Sequence, residues 1–217
     1  MKLQLRRINA ALKNIFVADA LAMPVHWYYN PLDIEQAFPG GINRLEAAPE
    51  YHPGSIMSLH STAKGGRGEQ VSHGWQREIV GEVILKGRRK YWGQVNQHYH
   101  QQMQAGENTL NAHCARVVMR TLQDNGGRYD KQSFLDDYID FMTSDPPDHP
   151  DTYAESYHRG FFANLEAGKA KDRCGAVTHD TPSIGGLVTI APIVLSERLQ
   201  GLPLVEVQEH SLQHLFL

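Results

Sequence analysis

The sequence predicts an all-α protein. Three observations carry this. Apolar residues recur at spacings of three and four along several stretches. Residues that start and stop helices bracket those stretches. No series of alternating β-branched segments joined by tight turns is present.

The first helix is expected over 3–22, where Leu5, Ile8, Leu12, Ile15, Phe16 and Asp19 share one stripe and Lys and Arg lie opposite. A second runs over 109–123, with Leu110, Cys114, Val117, Val118 and Leu122 on one face. Asn108 or Thr109 suits its N-cap and Gly126 its stop. Asp130 is placed to cap 131–143, which carries Phe134, Leu135, Tyr138, Ile139 and Met142. Residues 152–167 put Tyr153, Tyr157, Phe161 and Leu165 at a spacing of four, with Asp151 as expected cap and Gly168 as stop. Residues 185–200 carry Leu187, Ile190, Val194 and Leu199 and close at Gly201; Pro203 then suits the first turn of a last helix.

The whole of 1–217 reads as one domain with a long loop, functional or mobile, over about 39–75. That loop holds PGGI, PEYHPG and KGGRG and has few periodic apolar positions. The chain stops in an apolar pattern at Leu215, Phe216 and Leu217. Such an end either packs into the core, is covered by a second copy in a homo-oligomer, or belongs to a fragment of something longer.

Twenty-one basic and 24 acidic side chains leave a formal charge of −3. With no Lys/Arg block, that argues against broad binding to nucleic acid or an anionic membrane. No apolar run reaches the roughly 18 residues of a membrane span, and the N-terminus lacks a signal-peptide pattern, so the expected compartment is the cytoplasm. Two cysteines, Cys114 and Cys174, exclude a disulfide framework. Neither has an activating charge near it in sequence, and no GxSxG is present.

Candidate chemistry sits in four places. Asp19, on the apolar side of its helix, is either a cap for a neighbouring helix or a functional carboxylate, and His26 follows seven residues later. Residues 58–68, SLHSTAKGGRG, offer His60, Ser61, Thr62 and Arg67 as donors beside glycines that let backbone approach an anion. Two helix starts, one with Gly106, Asn108 and Thr109, the other with Ser183, Gly185 and Gly186, add amides that suit a diphosphate. His98 and His100, at i and i+2, share a face only on extended chain.

Three segments, ADALAMPVHW, AGENTLNA and SIGGLVTIAPI, together resemble the ADP-ribosylglycohydrolase superfamily, and the first block is similar to its crystallin J1-like branch. The resemblance implies an all-α hydrolase that cleaves an N- or O-glycosidic bond to ADP-ribose, usually with Mg²⁺ or Mn²⁺ ions. It implies catalytic roles for Asp19 and His26, Asp19 also as a possible metal contact. It implies ADP-ribose contacts from His60, Ser61, Thr62, Arg67, Gly106, Asn108, Thr109, Ser183, Gly185 and Gly186. It also implies a C-terminally shortened chain, since family members are longer. The departures are specific: His26 stands where many members have Glu, Gln104 where Asp is common, and Thr189 where Arg is common. Around 76–86 the family's carboxylate pair is missing, with Trp75 near the expected Asp. A non-catalytic ADP-ribose-binding or structural role on the same scaffold is the alternative.

Overall fold

The computed structural model describes residues 2–55, 57, 77–178 and 185–217. Among them the architecture is helical. α1 is Lys2–Ala22, α2 Pro31–Ala37, α3 Leu110–Asp124, α4 Lys131–Met142, α5 Ser156–Glu166, α6 Leu187–Leu199 and α7 Leu204–Leu215. No β-strand forms among the described residues; only isolated bridges occur, Tyr51 with Gln97 and Val80 with Ile84.

α3 is the central element. It packs against α1, α4 and α6, and α6 in turn packs against α7. Leu110, Cys114, Val117, Val118 and Leu122, the stripe expected from the sequence, are all buried. The helix stops where Gly126 and Gly127 take φ of 65° and 90° and the Gly127 amide donates to the Leu122 carbonyl at 2.6 Å. Only glycine adopts that conformation without strain. α4 starts as its cap requires, with Asp130 Oδ1 accepting from the Ser133 amide at 2.7 Å. Phe134, Leu135, Tyr138 and Met142 of α4 join Phe161 and Phe162 of α5 in the same core.

α1 is mostly exposed. The residues of its apolar stripe that are covered in part are Ile8, Leu12, Ile15, Phe16 and Asp19, and Ala20 alone is fully buried. Contrary to the sequence expectation, Lys2–Val25 is long and apolar enough to cross a membrane by length and composition alone. Its Asp19, however, is hydrogen-bonded into the start of α3.

Two other expectations are corrected. α5 begins at Ser156, and residues 151–155 are not helical. Asp151 and Tyr153 mimic a cap and an apolar repeat, but the segment is held as loop by Arg88, whose guanidinium donates to the carbonyls of His149 and Asp151. Trp92 Nε1 donates to the Thr152 carbonyl at 3.0 Å and the Thr152 hydroxyl to the Tyr99 carbonyl at 2.8 Å. In α6 the buried face is Thr189, Pro192, Ile193 and Glu197, while Leu187 and Leu199 are exposed. The helix is apolar nearly all round, so the sequence pattern could not choose the face. Glu197 chooses it, accepting from the Tyr129 amide at 2.9 Å and pairing with His210 at 2.7 Å.

The described part of the long loop is ordered by backbone pairing with 96–103. His98 donates to Glu50, His52 to Asn96, and Ala48 to Met103, all through backbone amides. This brings His52, His98 and His100 next to the end of α1.

Candidate active site

Two carboxylates from distant parts of the chain meet the start of α3. Asp19 Oδ2 accepts from the Thr109 amide at 2.8 Å and from Asn108 Nδ2 at 3.0 Å. Its Oδ1 accepts from the Thr109 hydroxyl at 2.5 Å. Asp151 Oδ2 accepts from the Leu110 amide at 2.7 Å. A helix start leaves amide donors unsatisfied and carries partial positive charge, so carboxylates are stable there. Gly106 turns the chain into this start with a φ of 88°.

The other oxygen of Asp151 continues into the histidines. Oδ1 accepts from His100 Nδ1 at 2.7 Å and from the Tyr153 amide at 3.0 Å. His100 Nε2 lies 2.9 Å from His26 Nδ1. Asp151 and His100 are about 1% exposed, whereas His26 is partly exposed. Among the described residues, His26 Nε2 has no hydrogen-bond partner.

Burial alone would push the Asp151 carboxyl up, but the charge and hydrogen bond of His100 and the Leu110 amide outweigh it and hold Asp151 at about 2. Burial likewise opposes charge on His100, and Asp151 overcomes it, so His100 is raised. His26 is lowered to about 3 by burial and by the neighbouring His100. Such opposed environments are how one site assigns different proton roles to like groups.

The remaining histidines are fixed. His98 Nδ1 accepts from the His100 amide at 3.1 Å, so its Nε2 donates to the Pro24 carbonyl at 3.2 Å. His52 Nδ1 accepts from the Gly54 amide at 3.1 Å, and its Nε2 donates to the His26 carbonyl at 3.0 Å. Both are neutral struts that tie the 23–26 turn to the loops.

An aromatic wall stands beside His26. Trp27 lies 4.8 Å from Tyr99 and 5.1 Å from Tyr153 between ring centroids, and Tyr153 stacks on Trp92 at 5.3 Å. Trp27 takes a φ of 59°, a strained conformation for a bulky residue that this packing enforces.

A second buried acid follows four residues on. Glu155 Oε1 accepts from Asn111 Nδ2 at 2.6 Å, and the Asn111 carbonyl oxygen accepts from the Tyr157 hydroxyl at 3.0 Å. Burial and the nearby Asp151 push Glu155 up to about 7 against the pull of its own hydrogen bonds and His100.

The structure therefore brings Asp19, Asn108 and Thr109 together, with His26 joined to the same helix start through His100 and Asp151. Gly185 and Gly186 lie at the start of α6. His60, Ser61, Thr62, Arg67 and Ser183 lie outside the described residues, as does Trp75. Asp151 and Glu155 are the site residues that sequence reasoning missed. His100 was singled out with His98 by its spacing; nothing in the spacing linked it to Asp151, 51 residues away.

The fold and site define an all-helical protein with a carboxylate–histidine chain at a buried helix start. The chain matches the family ADP-ribosylglycohydrolase over residues 2–211 and belongs to it. No curated protein and no solved structure matches it.

That family generally uses divalent metal ions, which need several oxygen donors in near-octahedral array. Here Asp19 already accepts three hydrogen bonds and Asp151 three. Among the described residues no group of three or more His, Cys, Asp or Glu side chains is disposed to hold a metal ion. These residues do not fit a pair of ions of the family kind.

Proposed function

We propose that the chain hydrolyses an N- or O-glycosidic bond between ADP-ribose and a protein or small-molecule acceptor. The observation that carries this, beyond membership of the family, is the partly exposed His26 joined through His100 to a buried carboxylate. In this reading His26 removes a proton from the water that attacks the anomeric carbon. An imidazole suits that work because one ring nitrogen can accept a proton while the other gives one up. The carboxylates at the α3 start favour the positive charge that develops on the ribose. Asp19 fixes Asn108 and Thr109 at the α3 start, beside the place proposed for the ribose. In this reading the diphosphate is held by Gly185 and Gly186 at the start of α6. A cytoplasmic location is a further part of the proposal on which no step depends.

The test is release of free ADP-ribose from arginine-linked, serine-linked and small-molecule ADP-ribosyl conjugates, with and without Mg²⁺. Release by the wild-type chain that His26→Gln abolishes is expected. No release from any of the three classes would overturn the reading. A second reading, binding without turnover, is favoured by the use of Asp19 as a helix cap. A thermal shift with ADP-ribose in the absence of release would select it.

A further inference from the structure

We propose that Asp151 and His100 are positioning residues that make His26 Nε2 the proton-accepting atom and take over the charge it gathers. This rests on the hydrolase reading and adds the device that makes it work.

The hydrogen bonds dictate the tautomers. Asp151 is a carboxylate and can only accept, so His100 Nδ1 carries a proton. When His100 is neutral, its Nε2 is bare, and His26 Nδ1 must donate across the 2.9 Å contact. His26 is then neutral with its proton on Nδ1, and its Nε2 offers a lone pair to the accessible side. No other group competes for that atom among the described residues.

The same chain moves charge inward. When Nε2 takes a proton from water, the Nδ1 proton of His26 can pass to His100 Nε2. The cation then rests on His100, against Asp151, and His26 returns to neutrality with its proton on Nε2. Buried charge is stable only where it is paired, and His100 is the paired position. This resolves an apparent conflict, because a histidine that resists holding charge is otherwise a poor base. The environments agree: His26 is lowered to about 3, and His100 is raised. A coupled pair of this kind titrates as a unit.

The step balances. The water oxygen bonds to the anomeric carbon as the glycosidic bond breaks, and the bonding pair leaves with the acceptor's nitrogen or oxygen. That atom takes a proton from solvent. The relay passes its own proton back through His26 Nε2, so the net reaction consumes one water.

The groups facing the relay come from several elements. Asp151 and Glu155 precede and cap α5, and Asp19 lies on α1. His98 and His52 approach from the loops, Asp33 from α2, and Arg88 and His149 from the far side of Asp151. His52 and His98 are neutral struts, which leaves the acids to dominate the field at His100.

The test has one arm independent of turnover. With the imidazoles labelled by ¹⁵N and the pH raised until His100 is neutral, His26 is expected to show a protonated Nδ1 and an unprotonated Nε2. The charge-dependent shift on acidification is expected at His100 first. His26 found with its proton on Nε2, or charging before His100, would overturn the relay. His100→Asn keeps a donor near Asp151 while cutting the link to His26, so the fold has its cap. In this variant His26 is expected to lose its single tautomer and kcat to fall 10²–10⁴-fold, the usual worth of acid–base catalysis. Adding His26→Gln to it is expected to cost little more, because the two act as one unit. Full activity in His100→Asn would also overturn the proposal. If ADP-ribosyl conjugates are not cleaved but the tautomer pattern is found, the hydrolase reading fails and the relay stands.

Discussion

Replacing Asp19 by Ala removes the acceptor that fastens α1 to the start of α3. Three hydrogen bonds are lost, from the Thr109 amide, the Thr109 hydroxyl and Asn108 Nδ2. Their consequences differ. The hydroxyl can rotate to another acceptor, and the Asn108 amide still donates to the Phe16 carbonyl at 2.7 Å. The Thr109 amide has no such relief, since Thr109 is 2% exposed and water reaches it poorly. Leaving one buried donor unsatisfied costs about 1–3 kcal/mol. Loss of a carboxylate from a helix start adds roughly 0.3–1 kcal/mol. Cavity effects are small because Asp19 is itself partly exposed. Together the loss is about 1.3–4 kcal/mol, which for a chain of this length lowers Tm by roughly 3–16 °C at about 2–4 °C per kcal/mol. Urea denaturation at neutral pH measures it, with Asp19→Asn as the control. Asn keeps an acceptor for the Thr109 amide, and its own amide can donate to the turned hydroxyl, so that variant should lie within about 1 kcal/mol of wild type. An Asp19→Ala protein within about 0.5 kcal/mol of wild type would refute the reasoning. So would Asp19→Asn as weak as Ala, which would make charge, not acceptor geometry, the source.

Three further outcomes are expected. Glu155 sits at about 7 against an ordinary 4.5, so the folded state binds its proton more tightly than the unfolded state, and stability is lost as pH rises from 4.5 to 7. At ~1.4 kcal/mol per pH unit the gap is worth about 3 kcal/mol; Glu155→Gln should flatten that part of the stability-versus-pH curve, and an unchanged slope would contradict the burial argument. Asp151 works in the opposite sense. Held at about 2 against 3.8, it contributes stability above 3.8 that is lost as pH falls through 2, about 2 kcal/mol on the same scale, and acid unfolding of Asp151→Asn should lack that limb. At Gly81, φ is 100° and an added Cβ would lie 2.7 Å from Arg89 Cβ, so Gly81→Ala should cost about 2 kcal/mol or more in chemical denaturation.

The helix ends were legible in the sequence where the signal is local. Asp130 caps α4 and Gly168, with φ of 83°, ends α5, because each acts on residues within a turn of itself. The stripe of α1 was legible from Ile8 down to Asp19 on its covered side, while Leu5, expected on the same stripe, is exposed. What failed was Asp151, which looks like a cap for the residues after it and instead serves Leu110, 41 positions earlier. A cap donated through space leaves no spacing to read. α6 failed for a different reason: it is apolar on most sides, and a buried Glu197, not hydrophobicity, decides its orientation. Of the candidate site, Asp19, His26, Asn108 and Thr109 were named from the residues and the resemblance they carry. Their connection through His100 and Asp151 was not, because the contact between His26 and His100 spans 74 residues.

Those separations matter beyond recognition of the site. Asp19 reaches Thr109 across 90 positions, His26 reaches His100 across 74, and His100 reaches Asp151 across 51. Contacts so remote in sequence require large loops to close, and they reward the chain only after that entropy has been spent. The helices can form early from their own neighbours. The start of α3 gains its two carboxylates, and His26 its partner, only when segments from the first, middle and later parts of the chain have all arrived. Signals from the imidazole of His26 should consequently be among the last to reach native values during refolding, and a chain stalled short of the native state would hold its helices yet lack the connection from His26 through His100 to Asp151.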